Sequence, residues 1–396
     1  MRQRLIYILK HYAFIQRTYR IVLNLVFRLW GKFLKTDDSC VLFVSFMGMN
    51  FNDSPKVIYD YMKEHSDYQK YNCIWAFEHP ERFPGLNTVR IDSFKYFKTA
   101  LKAKYWVTNT NIERGLSFKK KDQIYLNTWH GIALKHIGND CPGRKDYDFS
   151  TMNILVVSGK YDERIWKSAF NADDKSYLRC GMPRNEILWH ADNIMKAEMK
   201  KKLGIPADKK VILYAPTWRE SNNGGKSYDI KPPINFINWK KELEQEYIIL
   251  FRAHHQTTKV LEVEFNDFIR DVSSYPAVND LMIAADILIT DYSAIAFDYS
   301  ILCRPILCFA YDYETYLKSR GTYFDIDEKY PSKSCRNETE LLNRIKGMNY
   351  EEECFNTKRF RDMFIEYGVG ATEQCVKRLL KFELNDANNK KTNMRC

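Results

Sequence analysis

Three segments of this chain place histidine, arginine or hydroxyl side chains at the ends of apolar runs, where a ligand can reach them. In Asn127-Thr-Trp-His-Gly-Ile-Ala-Leu-Lys135, His130 and Gly131 lie just beyond such a run. An imidazole there can act as a general base near neutral pH, or it can hold the loop together as a structural histidine. In Leu250-Phe-Arg-Ala-His-His-Gln256, Arg252, His254 and His255 gather at the end of another run. Arginine grips phosphate oxygens in a fork, and residues two apart on a strand share a face, so Arg252 and His254 can point into one site. The same cations could instead serve a domain interface. In Thr290-Asp-Tyr-Ser-Ala-Ile-Ala-Phe-Asp-Tyr-Ser300, a strand leads through a polar turn into a helix. Asp291 or Ser293 is expected to cap that helix, whose free N–H groups invite a phosphate, although an ordinary cap needs no ligand.

Two further loops, Cys180-Gly-Met-Pro-Arg-Asn-Glu-Ile187 and Tyr214-Ala-Pro-Thr-Trp-Arg-Glu220, each offer an arginine, Arg184 and Arg219. Loops beside rigid strands carry function more often than the strands do. The spelling Asp325-Ile-Asp327 could hold a divalent cation such as Mg2+ beside a diphosphate, but two neighbouring aspartates are few ligands for a hard cation, and a solvated loop explains them as well. No metal site and no other cofactor is called for. The chain has no G-x-G-x-x-G after a strand, no Walker lysine motif and no H-E-x-x-H, which argues against dehydrogenase, P-loop and zincin chemistry.

Positioning these loops requires strands. Cys40 to Ser45, Asn72 to Ala76, Tyr105 to Thr108, Gln123 to Asn127 and Ile154 to Ser158 read as buried strands separated by helical stretches, the pattern of a parallel α/β sheet. A long polar helix is expected from about Asn185 to Leu203, ending at Gly204 and Pro206. A second series then runs Val211 to Pro216, Tyr247 to Arg252, Asp286 to Thr290 and Pro305 to Phe309. The expected organisation is a segment 1–36, Rossmann-like domains at 37–204 and 205–370, and a C-terminal helix and polar tail at 371–396. Two such domains facing one another place their strand ends around a shared cleft.

The chain has 396 residues, 45% hydrophobic and 28% charged, which is enough for two folded domains and too apolar for disorder. No apolar run approaches the roughly 20 residues of a membrane-spanning helix, and no secretory signal opens the sequence, so a cytoplasmic chain is expected. The ten cysteines are scattered without C-x-x-C pairs and read as reduced thiols. A net charge of +11 favours a polyanionic partner. Much of it lies in residues 1–36, where Arg2, Arg4, Lys10, Arg17, Arg20, Arg28, Lys32 and Lys35 interleave with aliphatic and aromatic residues and no acid precedes Asp37. That composition suits an amphipathic helix in an anionic membrane interface; a helical arm packed on its own domain, or an RNA-binding arm, would use the same residues.

Trp129-His-Gly131, Gly181-x-Pro-Arg-Asn185, Ala215-Pro-Thr-Trp-Arg219, Arg252-x-His254, and Thr290-Asp-Tyr-Ser293 with Phe297-Asp-Tyr299 follow one another in an order that resembles the CDP-glycerol glycerophosphotransferase family of teichoic acid synthesis. The resemblance covers roughly residues 40 to 370. It implies a GT-B-like pair of Rossmann-type domains, peripheral at the cytoplasmic side of the cell membrane. It implies transfer of a polyol phosphate, glycerol phosphate from CDP-glycerol ahead of ribitol phosphate from CDP-ribitol, to a polyprenyl diphosphate-linked glycan or polyol-phosphate acceptor, for wall teichoic acid or capsule, with release of CMP and without nucleic acid. Carried over by position, His130 is the base and His254 acts at the donor diphosphate beside Arg252. Trp129, Gly131, Arg184, Pro216, Thr217, Ser293 and Asp298 would line the donor site. The sequence departs from the pattern at Ile132 and Ala133, where Thr-Pro is common, and at Ala294, where a second serine is common; lost hydroxyls there bear on glycerol against ribitol. A GT-B glycosyltransferase using a nucleotide sugar would share the architecture and release a nucleoside diphosphate instead.

Overall fold

The computed structural model describes residues 13–217, 219, 231–253, 260 and 262–381. All nine expected runs form strands, and three more join them. The first sheet contains β1 (Asp37–Val44), β2 (Asn72–Phe77), β3 (Thr88–Arg90), β4 (Ala103–Thr108), β5 (Ile124–Asn127), β6 (Ile154–Val157) and β7 (Tyr177–Arg179). Its order is β3-β2-β1-β4-β5-β6-β7, parallel throughout. The second contains β8 (Lys210–Ala215), β9 (Tyr247–Phe251), β10 (Ile269–Asp271), β11 (Ile287–Thr290) and β12 (Ile306–Cys308), ordered β10-β9-β8-β11-β12, again all parallel. Both sheets reverse direction of growth beside their first strand, between β1 and β4 and between β8 and β11. Ligands of open α/β sheets bind beyond the carboxyl ends of the strands at such reversals.

The inner strands are buried on both faces because helices cover both, which is why they read as continuous apolar runs. β3, β7 and β10 are three residues long and lie at sheet edges, too short to carry a pattern. The long helix expected from Asn185 to Leu203 is broken. A short helix, Glu186–Trp189, stops at His190, and a second, Asn193–Lys202, begins where the Asp192 carboxylate accepts from the Met195 N–H at 2.8 Å.

The chain crosses between the sheets more than once. The helix Tyr350–Phe364 packs on Ile295–Ser300 of the second unit and on Lys160–Phe170 of the first. The following helix, Ala371–Leu380, lies against the helix Asp53–Glu64 and strands β5 and β6, and buries Ala371, Cys375, Val376 and Leu379 in the core of the first sheet. Where the chain returns, Gly181 sits at φ +80° with the Tyr367 carbonyl so close that a Cβ would overlap it. A second seam lies beyond β5, where Lys135 pairs with Thr322 in an isolated antiparallel bridge and the Tyr323 N–H donates to the Leu134 carbonyl at 2.8 Å.

The helix Ala13–Phe33 docks on the first unit by one face: Phe27, Trp30 and Leu34 pack against its core, and the Ser117 N–H donates to Asn24 Oδ1 at 2.7 Å. On other faces Ile21, Val22, Leu25, Val26, Leu29 and Phe33 stay exposed, Phe33 at 86%. The arm therefore packs on its own domain and still presents apolar surface. Residues 1–12 of the expected amphipathic segment and 382–396 of the expected tail lie outside the described residues. Among the described residues no helix is long and apolar enough to cross a membrane.

Candidate active site

β5 ends at Asn127, and the side chain of that residue shapes the turn that follows. Asn127 Oδ1 accepts from the Trp129 N–H at 2.7 Å while its Nδ2 donates to the Thr110 carbonyl at 2.8 Å. Trp129 is held at φ +51°, a left-handed conformation that costs a bulky residue energy and marks a constrained loop. Its ring packs on Phe170, with centroids 4.5 Å apart, and on the His130 ring at 4.1 Å. His130 Nδ1 lies 2.8 Å from the Asn109 carbonyl beyond β4. A carbonyl can only accept, so Nδ1 carries the hydrogen, and in the neutral ring the lone pair then resides on Nε2. Gly131, at φ +149°, brings this loop against the second unit: a Cβ there would come within 3.0 Å of the Ala294 Cβ.

Across that contact stand the loops after β8 and β11. The Thr217 N–H donates to Asp291 Oδ1 at 2.9 Å, and the buried Thr217 hydroxyl has no hydrogen-bond partner among the described residues. Pro216 is buried beside it. Asp291 does not cap the helix as expected; its other oxygen accepts from Arg219 at 2.9 Å. Ser293 makes only a 3.4 Å contact with the Ile295 N–H, and the six-residue helix Ile295–Ser300 starts at Ala294 without a side-chain cap. The reason is geometric: Asp291 precedes the helix by too many residues and is drawn back to tie the two loops together. Arg219 is likewise engaged within the fold, bonded to Asp291, Asp312 and the Thr217 carbonyl and faced by the rings of Tyr292, Tyr311 and Tyr316.

Arg184 is the hinge of the cleft. Its guanidinium donates to Asp53 Oδ2 and to Asp298 Oδ2, each at 2.7 Å, and Asn185 Nδ2 donates to Asp298 Oδ1 at 2.6 Å. Burial opposes the Arg184 charge, but Asp298 and Asp53 outweigh it and its pKa is raised. Asp298 is thereby committed to a bridge between the units. Arg252 donates to the carbonyls of Val272 and Tyr275 at 3.0 and 2.7 Å and has no acidic partner among the described residues; burial pulls its pKa down. Phe46, Asp53, Lys56, Arg184, Arg252 and Asn279 border a cavity of about 1030 Å³. Phe46 also approaches the His130 ring, centroids 5.7 Å apart, so the cavity adjoins that ring.

The structure thus sets the Trp129-His130-Gly131 loop against Ala294 and Arg184 and ties Arg184 to Asp298, while of the expected site residues only Arg184 and Arg252 line the cavity itself. Ile132 and Ala133 do not join them: the chain turns inward after Gly131, and both side chains are buried in apolar cores, Ile132 in that of the second unit and Ala133 in that of the first. His254 and His255 lie outside the described residues. Asp325 accepts from the Asp327 N–H as a helix cap, and Asp327 binds Ser334 and Arg336, so this pair does not fit a cation site. Among the described residues no group of three His, Cys, Asp or Glu could hold a metal ion. Sequence reading missed Asn109 and Asp53. The polar run Thr108-Asn-Thr-Asn111 after a buried strand signals the first; nothing local signals the second.

Two doubly wound parallel sheets, each with its reversal point beside its first strand, define a GT-B-like fold, the architecture of a class of transferases. The chain belongs to the CDP-Glycerol:Poly(glycerophosphate) glycerophosphotransferase family, which matches residues 25–381. It is 31% identical over 396 residues to a teichoic acid poly(glycerol phosphate) polymerase of Bacillus spizizenii, covering 94% of this chain and 98% of that one. It is 34% identical over 369 residues to the Staphylococcus epidermidis teichoic acid poly(glycerol phosphate) polymerase, covering 87% of this chain but only 51% of that relative. The chain therefore spans about half of the latter's length. Among solved structures, the wall teichoic acid polymerase TagF superposes with a TM-score of 0.80 at 32% identity, covering 94% of this chain and 98% of TagF. TagF has also been solved after a soak with CDPG.

Proposed function

We propose that this protein transfers glycerol phosphate from CDP-glycerol to a lipid-linked teichoic acid or capsule acceptor at the cytoplasmic face of the membrane, releasing CMP. The observation that carries this reading is His130, whose Nδ1–H is held by the Asn109 carbonyl so that Nε2 can take a proton from an acceptor hydroxyl. The freed hydroxyl oxygen attacks the phosphorus that bears the glycerol. A P–O bond to the acceptor forms, the P–O bond to CMP breaks in line, and the electron pair leaves on the CMP phosphate. Arg252 borders the cavity with no acidic partner among the described residues and is placed to stabilise charge on the donor.

Glycerol rather than ribitol is supported by relatives at 31–34% identity that carry glycerol phosphate, against 28% for the Bacillus spizizenii ribitol-phosphate polymerase. Membrane association is supported by the exposed apolar surface of the helix Ala13–Phe33, flanked by Arg17, Arg28 and Lys32, which suits an anionic surface. The test is CMP release from purified protein given CDP-glycerol or CDP-ribitol with a lipid-linked acceptor in detergent. Acceptor-dependent CMP from CDP-glycerol that disappears in His130→Ala is the expected result; consumption of a nucleotide sugar with no CMP would replace this reading with a glycosyltransferase.

A further inference from the structure

Three neighbouring strands of the first sheet, β1, β4 and β5, end level with one another: Val44 pairs with Thr108, and Thr108 with Asn127. The residue that leaves the middle strand is Asn109, which is fully buried and reaches both sides. On one side its carbonyl faces His130 Nδ1 at 2.8 Å; on the other its Oδ1 accepts from the Phe46 N–H at 2.9 Å. Thr110 adds a longer bond, its hydroxyl accepting from the Met47 N–H at 3.3 Å. These bonds hold Phe46 at φ +43° and Met47 at φ +60°, left-handed conformations that bulky residues keep only where their surroundings impose them. The turn so held sets the Phe46 ring beside that of His130, centroids 5.7 Å apart, at the border of the large cavity. Asn109 is not there to satisfy its own amide, since Nδ2 is buried with no partner among the described residues. A donor stranded in this way lowers stability and asks for a reason beyond packing.

We propose that Asn109 is a positioning residue for His130, setting the imidazole from two sides: directly through its carbonyl, and indirectly through the Phe46 ring that its side chain holds in place. The inference rests on the reading of His130 as the base. One residue then ties the setting of that base to the border of the cavity beside it. In Asn109→Ala the carbonyl remains but the strained turn loses its anchor. Relaxation of Phe46 toward ordinary backbone angles then carries its ring off the imidazole, which is left to a single contact of the two. A misplaced base costs turnover rather than binding.

The experiment follows CMP release in wild type, Asn109→Ala, Phe46→Gly and the double variant, with donor and acceptor varied separately. Glycine relieves the left-handed strain at position 46 as it removes the ring, so that variant should fold. Asn109→Ala should lower kcat about tenfold or more, with both KM values within about threefold and the melting temperature within a few degrees. The double variant should be slower than Phe46→Gly by no more than about twofold, because once the ring is gone its anchor has nothing left to hold. Imidazole nitrogen spectra of histidine-labelled protein, taken at about pH 8 where the ring is neutral, need no turnover. The His130 signals, assigned by their loss in His130→Ala, should show the Nδ1–H form alone in wild type and a mixture of tautomers in both single variants. If wild type releases no CMP, the proposed reaction falls while the spectra still judge Asn109. The proposal is overturned if Asn109→Ala keeps kcat within about twofold, if only KM rises, if the two changes multiply as independent sites do, or if His130 keeps the Nδ1–H form alone in Asn109→Ala. Should Asn109→Ala fail to fold, the tautomer of His130 in Phe46→Gly decides: a mixture supports the proposal, and the Nδ1–H form alone overturns it.

Discussion

His130 and Arg184 are both polar residues of the cleft, yet the structure gives them different work. His130 meets the Asn109 carbonyl and is the base of the proposed reaction, so on that proposal its removal acts on chemistry. His130→Ala should lower CMP release by about 100-fold or more with an unchanged circular dichroism spectrum. Arg184 is buried between Asp53 and Asp298, so its removal acts on the fold first. Arg184→Met leaves two carboxylates facing each other without a cation, and should cost about 3–5 kcal/mol in denaturant unfolding. The type of each residue was legible in the sequence; its partner was not. Asn109 reaches His130 because β4 and β5 are neighbours, and Asp53 reaches Arg184 across 131 positions of chain. Pairings set by tertiary adjacency leave no trace in local spacing.

For the elements, legibility followed length. The inner strands announced themselves because burial on both faces demands apolar side chains throughout. The half-buried edge strands β3, β7 and β10 and the break at His190 escaped because exposed edge positions, or a single capping carboxylate at Asp192, outweigh weak periodicity, whereas the equally short edge strand β12 is fully buried and read as an apolar run. The helix Ala13–Phe33 shows both faces of this argument, since one composition served packing and exposure at once. Leu25→Glu with Leu29→Glu changes only exposed positions. Melting temperature should stay within a few degrees, while co-sedimentation with anionic vesicles should be lost; unchanged vesicle binding would remove the helix from the membrane reading. Trp30→Ala should do the reverse, lowering stability by about 3 kcal/mol because its ring packs on Phe94 and the first core.

Across the whole molecule, pH enters through a group that the proposed chemistry does not use. Asp162 is fully buried, one of its oxygens lacks a partner among the described residues, and burial pushes its carboxyl up to about 7 against the Ser158 N–H. Its ordinary value is 3.8, so between these values the folded state keeps a proton the unfolded chain has released. This contribution to stability is complete below the lower value and is lost as pH rises through the upper one. The urea midpoint should therefore decline between about pH 5 and about pH 8, and Asp162→Asn should flatten that decline. The two-sheet architecture was legible as two series of strands, whereas the return of the helix Ala371–Leu380 to the first sheet was not, because nothing in a short amphipathic helix says which sheet it will cover. That return sets an order of events at the ribosome. The first domain cannot close one face of its core until the helix Ala371–Leu380 has been translated, so a nascent chain paused near residue 204 carries a seven-stranded sheet with Leu126, Ile154 and Val156 behind an unfinished wall, a surface that holdase chaperones bind.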